Sequence, residues 1–350
     1  MVSVPDIPIS ADDPSPRIGD HDPLASDIFK DGSPRIGLAL GGGAARGWAH
    51  IGVLEVLHEA GIVPDVIAGT SVGAIAGGWY SAGLLADLKE FALSLTPRRV
   101  FSLLDLTLLS SGLIAGHKID DQLRDHLQDR TLEDLPIRTI FLATELATGH
   151  EIWLRRGNLV DAMGASYALP GIFKPVTVNG RALVDGALVN PVPVSVCRAY
   201  GARLVIAVSL TPETMPHGGV VPDLPDFDSG MSAGSAGSLF DEADEDSFKF
   251  RDMFNMTKRA KSVLRHQFAT GKNGPNGVPA VMMQAFTIIQ DRMTRSRLAG
   301  DPPDVMISPR IGDIGMFDFH RAESAIQAGR EAAQRALDDI AIVTERLSVR

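Results

Sequence analysis

At 350 residues the chain accommodates one large α/β domain or at most two smaller ones. An apolar content of 45% supplies a sizeable core, and 22% charged residues exclude wholesale disorder. A net charge of −10 argues against a nucleic-acid backbone as partner, and the single cysteine, Cys197, excludes an internal disulfide or a cysteine–zinc cluster.

Residues 1–32 are Pro-rich and acidic, with neither a basic n-region nor an apolar h-region, so the expectation is a mobile arm rather than a signal. A cytoplasmic chain is expected on that ground, with 248–268 as the candidate for peripheral contact at the inner membrane. The run RIGLAL (35–40) predicts a strand, followed by a glycine cluster and a helix over about 48–60. A second apolar run, VIAG (66–69), leads into a helical pattern that ends near Leu85. The 21 residues from Val66 to Ala86 carry no charge and have the length of a membrane span, but five are glycine. A buried strand, turn and helix account for them better. The βαβα order predicts an α/β fold with a parallel sheet. Further strands are expected at 139–146, 150–155, 182–186, 203–210 and 304–309, and a long helix from about His320 to Leu347.

Residues 212–277 break this rhythm. From Pro212 to Ser247 there are nine acidic residues and no Lys or Arg, whereas Phe248 to Lys272 carries seven basic residues and one Asp. Phe250, Phe254, Leu264 and Phe268 recur at helical spacing with Lys258, Arg259 and Lys261 around them. Such a helix over 248–268 either lies on anionic lipid, acts as a lid, or docks its apolar stripe on the core; the pattern alone is the same for all three.

Two motifs carry chemistry. GTSVG (69–73) has the form G-x-S-x-G at a strand-to-helix turn, where Ser71 is pushed outward and Gly69 and Gly73 leave room for the backbone. The start of the following helix favours a developing negative charge. GGGAARG (41–47) frees consecutive backbone N–H groups to converge on an anion or oxyanion. It lacks the lysine of a Walker loop, and Ala44 breaks the dinucleotide pattern, although Asp65 could stand as a distant ribose acceptor. A parallel crossover brings both loops to one sheet edge. Asp185 reaches that edge if its own strand is parallel, and is otherwise an ordinary turn residue before Gly186. Arg46 opens a helix and either ties a carboxylate structurally or faces an anionic substrate. His50, His58 and Cys197 are expected to be packing residues. No cluster has metal-ligand spacing, so neither metal nor cofactor is expected.

Taken in this order, LALGGGAARGWAHIGVLEVL (38–57), GTSVGA (69–74), ASYALPGIF (165–173) and DGALVNPVP (185–193) resemble the patatin-like phospholipase family. The resemblance is strongest to its bacterial branch, similar to the catalytic domain of neuropathy target esterase, and runs from about Pro34 to the final helix. It implies a three-layer α/β/α sandwich over residues 33–350, with 212–277 as an insertion. It also implies a Ser–Asp dyad acting on phospholipid or lysophospholipid esters through an acyl-enzyme. Ser71 would be the nucleophile and Asp185 its base. Gly42, Gly43 and Ala44 would form the oxyanion hole, with Gly41, Arg46, Gly47, Gly69, Gly73, Gly186 and Ala187 as supporting motif positions. Ala44 departs from the family's usual glycine. Two other readings stay open: an esterase or thioesterase with a triad completed by His217, His266 or His320, and a non-catalytic module that binds an anion or nucleotide.

Overall fold

A strand covered on both faces must send alternate side chains into two apolar layers. The computed structural model describes residues 35–103, 117–211, 270–271, 274–275 and 278–348. The arm 1–32, the stretch 248–268, His217 and His266 lie outside the described residues. The strands of the main sheet are β1 (Ile36–Leu40), β2 (Val66–Thr70), β3 (Arg138–Glu145), β4 (Glu151–Leu154), β5 (Val176–Val178), β6 (Arg181–Asp185), β7 (Leu204–Val208) and β8 (Val305–Ile307); Thr270–Gly271 and Gly274–Pro275 form a separate short antiparallel pair. The helices are α1 (Ala49–Glu59), α2 (Val72–Ser81), α3 (Leu85–Leu93), α4 (Pro97–Leu103), α5 (His117–Leu127), α6 (Leu159–Tyr167), α7 (Val194–Ala199), α8 (Val278–Gly300) and α9 (Ala322–Ser348).

Five strands run parallel in the order β8-β7-β1-β2-β3, and β4, β5 and β6 add antiparallel pairings beyond them. Leu38, Leu40, Ile67, Phe141, Ile206 and Val208 point into one layer, where Ile51 and Leu54 of α1, Ala74 of α2, Met163 of α6 and Ala333 of α9 meet them. The alternate residues Ala39, Ala68, Ile140, Leu142 and Val205 face Val194, Val196 and Cys197 of α7. The result is an α/β/α sandwich with a mostly parallel central sheet, as expected. The alanine content of α9 has a packing reason: a Cβ on Gly329 would lie 2.0 Å from the Ala49 carbonyl oxygen, so α1 and α9 meet backbone to backbone.

The uncharged stretch 66–86 divides into β2, the turn at Ser71, α2 and the turn at Gly83. No helix among the described residues is long and apolar enough to cross a membrane. β7 and β8, which flank the 212–277 segment in sequence, pair directly in the sheet. Strand β5 and helices α3 to α8 have no counterpart among the sequence expectations; β5 is three residues of partly exposed VTV, too short for alternation to be read.

Candidate active site

The register of β3 decides how the site is assembled. Its Leu142 pairs with Thr70, the last residue of β2, and its next residue, Ala143, pairs with Asp185, the last residue of β6. The opposite edge of β3 is taken by β4 over Phe141–Thr144. Strands β2 and β6 therefore meet head-on along one edge of β3, and both chains must turn away where they meet. The parallel strand required for Asp185 by the sequence reading is absent, because β6 is antiparallel. Asp185 still reaches Ser71, because β3 outruns β2 and β6 fills the remaining edge.

At the end of β2 the chain turns sharply through Ser71, whose φ of 57° and ψ of −122° lie in a region that costs a non-glycine residue about 1–3 kcal/mol. Close backbone packing holds it there. A Cβ on Gly69 would sit 2.6 Å from the Gly73 carbonyl oxygen, and one on Gly73 only 2.1 Å from that of Leu40. The Ser71 N–H donates to Ser166 Oγ at 2.9 Å, and the Ser166 hydroxyl donates in turn to the Leu142 carbonyl at 2.6 Å. The Ser71 hydroxyl is then free to face the carboxylate: it donates to Asp185 Oδ2 at 2.7 Å. The other oxygen, Oδ1, accepts the Ala187 N–H at 2.8 Å, and Thr144 Oγ1 donates to the Asp185 carbonyl at 2.9 Å. Gly186 allows this tight return, since a Cβ there would lie 2.3 Å from the Leu142 carbonyl oxygen. Asp185 is 2% exposed, and burial raises its carboxyl from the ordinary 3.8 to about 6, against the opposing pull of the Ala187 and Ser71 bonds.

The glycine loop lies beside this pair. A Cβ on Gly42 would touch Ser71 Cβ and Ala187 Cβ, each at 3.4 Å. Gly41 donates its N–H to the Val208 carbonyl and Gly42 to that of Pro191, both at 3.0 Å. The Gly42 hydrogen is thereby committed, which corrects the expectation that three consecutive amides face the serine. Gly43 and Ala44 have no amide acceptor among the described residues and are the two left. Ala44 adopts φ 50°, a left-handed conformation that glycine takes at less cost than alanine. A Cβ on Gly47 would collide with Val72 Cγ2 at 2.0 Å, so α2 sits directly against this loop.

Other expected residues fall in place or elsewhere. Arg46 Nε donates to the Ile314 carbonyl at 2.8 Å, and burial lowers its pKa while nearby Asp318 raises it; the partner is a carbonyl rather than a carboxylate. Asp65 accepts the Ile36 N–H at 2.7 Å at the far end of β1, where it cannot serve a group bound at the glycine loop. Cys197 is buried with its thiol pushed up to about 12, and His50 is fully buried, as expected; His58 is exposed but packs edge-on against Tyr80, with ring centroids 6.1 Å apart and Nδ1 3.4 Å from the Tyr80 hydroxyl. His320 is exposed before α9. Ser166 and Pro191 lie inside the motifs ASYALPGIF and DGALVNPVP, whose local pattern carries no sign of the bonds that they make here.

Ser71 and Asp185 sit on the wall of a cavity of about 150 Å³ whose lining is almost wholly apolar. Its lining includes Trp48, Ile75, Leu88 and Phe91, Ile119 and Leu123 of α5, and Phe173, Phe286 and Met316. Gln122 and Gln290 are its amide side chains. A carboxylate-activated hydroxyl in such surroundings suits an ester joined to a hydrocarbon chain.

Comparison with known proteins identifies the family. Residues 38–198 match the family model described as patatin-like phospholipase. An uncharacterised NTE family protein of Mycobacterium tuberculosis is 34% identical over 341 residues, covering 90% of this chain and 95% of the relative. Patatin-like phospholipase domain-containing protein 6 of Mus musculus is 33% identical over 182 residues, 50% of this chain and 13% of that protein. Among solved structures, VipD from Legionella pneumophila aligns with a TM-score of 0.40 at 12% identity, over 87% of this chain and 67% of that one. On the sequence matches, the chain belongs to the patatin-like phospholipase family and, within it, to the NTE proteins.

Proposed function

We propose that this protein is a serine lipid acyl hydrolase that cleaves phospholipid or lysophospholipid esters with a Ser71–Asp185 dyad. Family membership supports a hydrolase acting on lipid. The observation that carries the finer reading is the 2.7 Å bond from Ser71 Oγ to Asp185 Oδ2 on the wall of an apolar cavity. As Ser71 Oγ attacks the ester carbonyl, its proton passes to Asp185. The carbonyl oxygen gains the negative charge and is met by the Gly43 and Ala44 amides. Collapse of the tetrahedral species expels the alcohol, which takes the proton from Asp185 and leaves an acyl-Ser71 ester. Water then repeats the sequence and releases the fatty acid. A carboxyl poised at about 6 is a better base than one at its ordinary value and remains ionised at neutral pH.

The triad reading has less support. Ser71 and Asp185 are in direct contact, and an imidazole between them would need them several ångströms apart. The nucleotide reading loses its ribose acceptor with Asp65. Membrane contact is part of the proposal: α8, whose Phe286 and Gln290 line the cavity, carries Val281, Met282, Ile288 and Ile289 exposed on another flank.

Treatment with a long-chain alkyl fluorophosphonate followed by peptide mass spectrometry tests the assignment. One adduct is expected on Ser71, lost in Asp185→Asn and kept in His320→Ala. An unlabelled protein, or an adduct at another serine, would overturn it.

A further inference from the structure

The glycine loop raises a physical problem that the dyad does not. Gly41 and Gly42 flank one peptide unit, and glycine on both sides lets such a plane rotate at little steric cost. The amides that follow can act as preorganised donors only if this plane is held. Both of its polar ends are engaged: the Gly42 N–H donates to the Pro191 carbonyl at 3.0 Å, and the Gly41 carbonyl lies 2.8 Å from His50 Nε2. A carbonyl can only accept, so Nε2 carries the hydrogen and Nδ1 the lone pair. His50 is 0% exposed, and Nδ1 has no hydrogen-bond partner among the described residues. Burial keeps the ring neutral, with its pKa lowered to about 4. The Gly41 carbonyl also abuts the start of α2: a Cβ on Gly73 would lie 2.9 Å from it. The clamped plane is thus wedged under the turn that carries Ser71.

We propose that His50 is a positioning residue for the glycine loop. Together with the Pro191 carbonyl it locks the Gly41–Gly42 peptide plane and so aims the Gly43 and Ala44 amides at the carbonyl oxygen attacked by Ser71. Pro191 and Asp185 belong to one short segment, and the Thr70 hydroxyl donates to the Asn190 carbonyl at 2.9 Å. Base, nucleophile and oxyanion loop are tied through that segment on one side and through His50 on the other. The inference rests on the hydrolase reading of the site.

The decisive comparison is His50→Gln against His50→Asn in the full chain. The Gln amide nitrogen stands as many bonds from Cβ as Nε2 and can donate to Gly41; that of Asn matches Nδ1 and falls short. Steady-state hydrolysis of a p-nitrophenyl ester should show kcat about 10- to 100-fold lower in His50→Asn with KM unchanged, and kcat within about threefold of wild type in His50→Gln. Hydrogen–deuterium exchange of the peptide containing Gly42 should quicken in the Asn variant and not in the Gln variant. Equal kcat in all three proteins, or equal losses in both variants with parallel falls in Tm, would overturn the proposal. If wild type turns over no ester, or Ser71→Ala turns it over as fast, the hydrolase reading fails instead. The exchange comparison then still decides whether His50 holds the loop.

Discussion

Asp185→Asn should stop ester turnover and, at neutral pH, make the folded protein more stable. The carboxyl is 2% exposed and its pKa rises from 3.8 to about 6 on folding, with desolvation as the largest cause. At about 1.36 kcal/mol per pH unit, the folded state bears about 3 kcal/mol for carrying this group ionised. Below pH 3.8 the group is neutral in both states and its contribution is fully retained; stability is lost as pH climbs through about 6, and the penalty is complete above that. Asparagine removes the charge and keeps an oxygen for the Ala187 N–H, but it turns an N–H₂ toward Ser71 where Oδ2 had accepted. The gain should therefore be about 1–3 kcal/mol. Urea unfolding of wild type and variant at pH 7.5, 5 and 3.5 reads it directly, with the variant ahead at 7.5 and level at 3.5. A variant less stable at pH 7.5, or an offset independent of pH, would refute the burial argument. The same titration governs catalysis with opposite sense: hydrolysis by wild type should fall about tenfold per unit below about pH 6, where the base is protonated.

Ser166→Ala removes the acceptor of the Ser71 N–H, so stability should fall by about 1–3 kcal/mol and labelling by fluorophosphonate should slow; unchanged values in both would show that the turn holds without it. Ala44→Gly relieves a left-handed alanine and should raise stability by about 1 kcal/mol in thermal or urea unfolding, whereas a loss would mean the loop relies on the methyl group. Replacing exposed Ile288 and Ile289 together by Asp should weaken sedimentation with phospholipid vesicles and spare soluble-ester hydrolysis; undiminished co-sedimentation would remove α8 from the membrane surface.

Composition and local pattern already specified much of this protein. The strand runs 35–40, 66–69, 139–146 and 203–210 correspond to β1, β2, β3 and β7, because buried parallel strands are short apolar runs that need no partner to be read. The turn at Ser71 was equally legible, since Gly69 and Gly73 are local signs of a backbone that approaches another within van der Waals distance. The hydroxyl, the carboxylate and the glycine loop were each visible as motifs.

What joins them was visible in no single segment. Whether Asp185 reaches Ser71 depends on β3 extending past β2 so that β6 can run in from the opposite direction, a matter of register between strands about 70 and 40 residues apart along the chain. Which loop amides remain free depends on Pro191, about 150 residues away, taking the Gly42 hydrogen. His50 looks like any packing residue on a helix until the fold brings the Gly41 carbonyl to its Nε2. A sequence determines which residue types and turns are available, because those follow from steric and polar properties of neighbours. Only tertiary structure decides which donors are already spent and which carboxylate is stripped of water, because both depend on atoms contributed by distant parts of the chain.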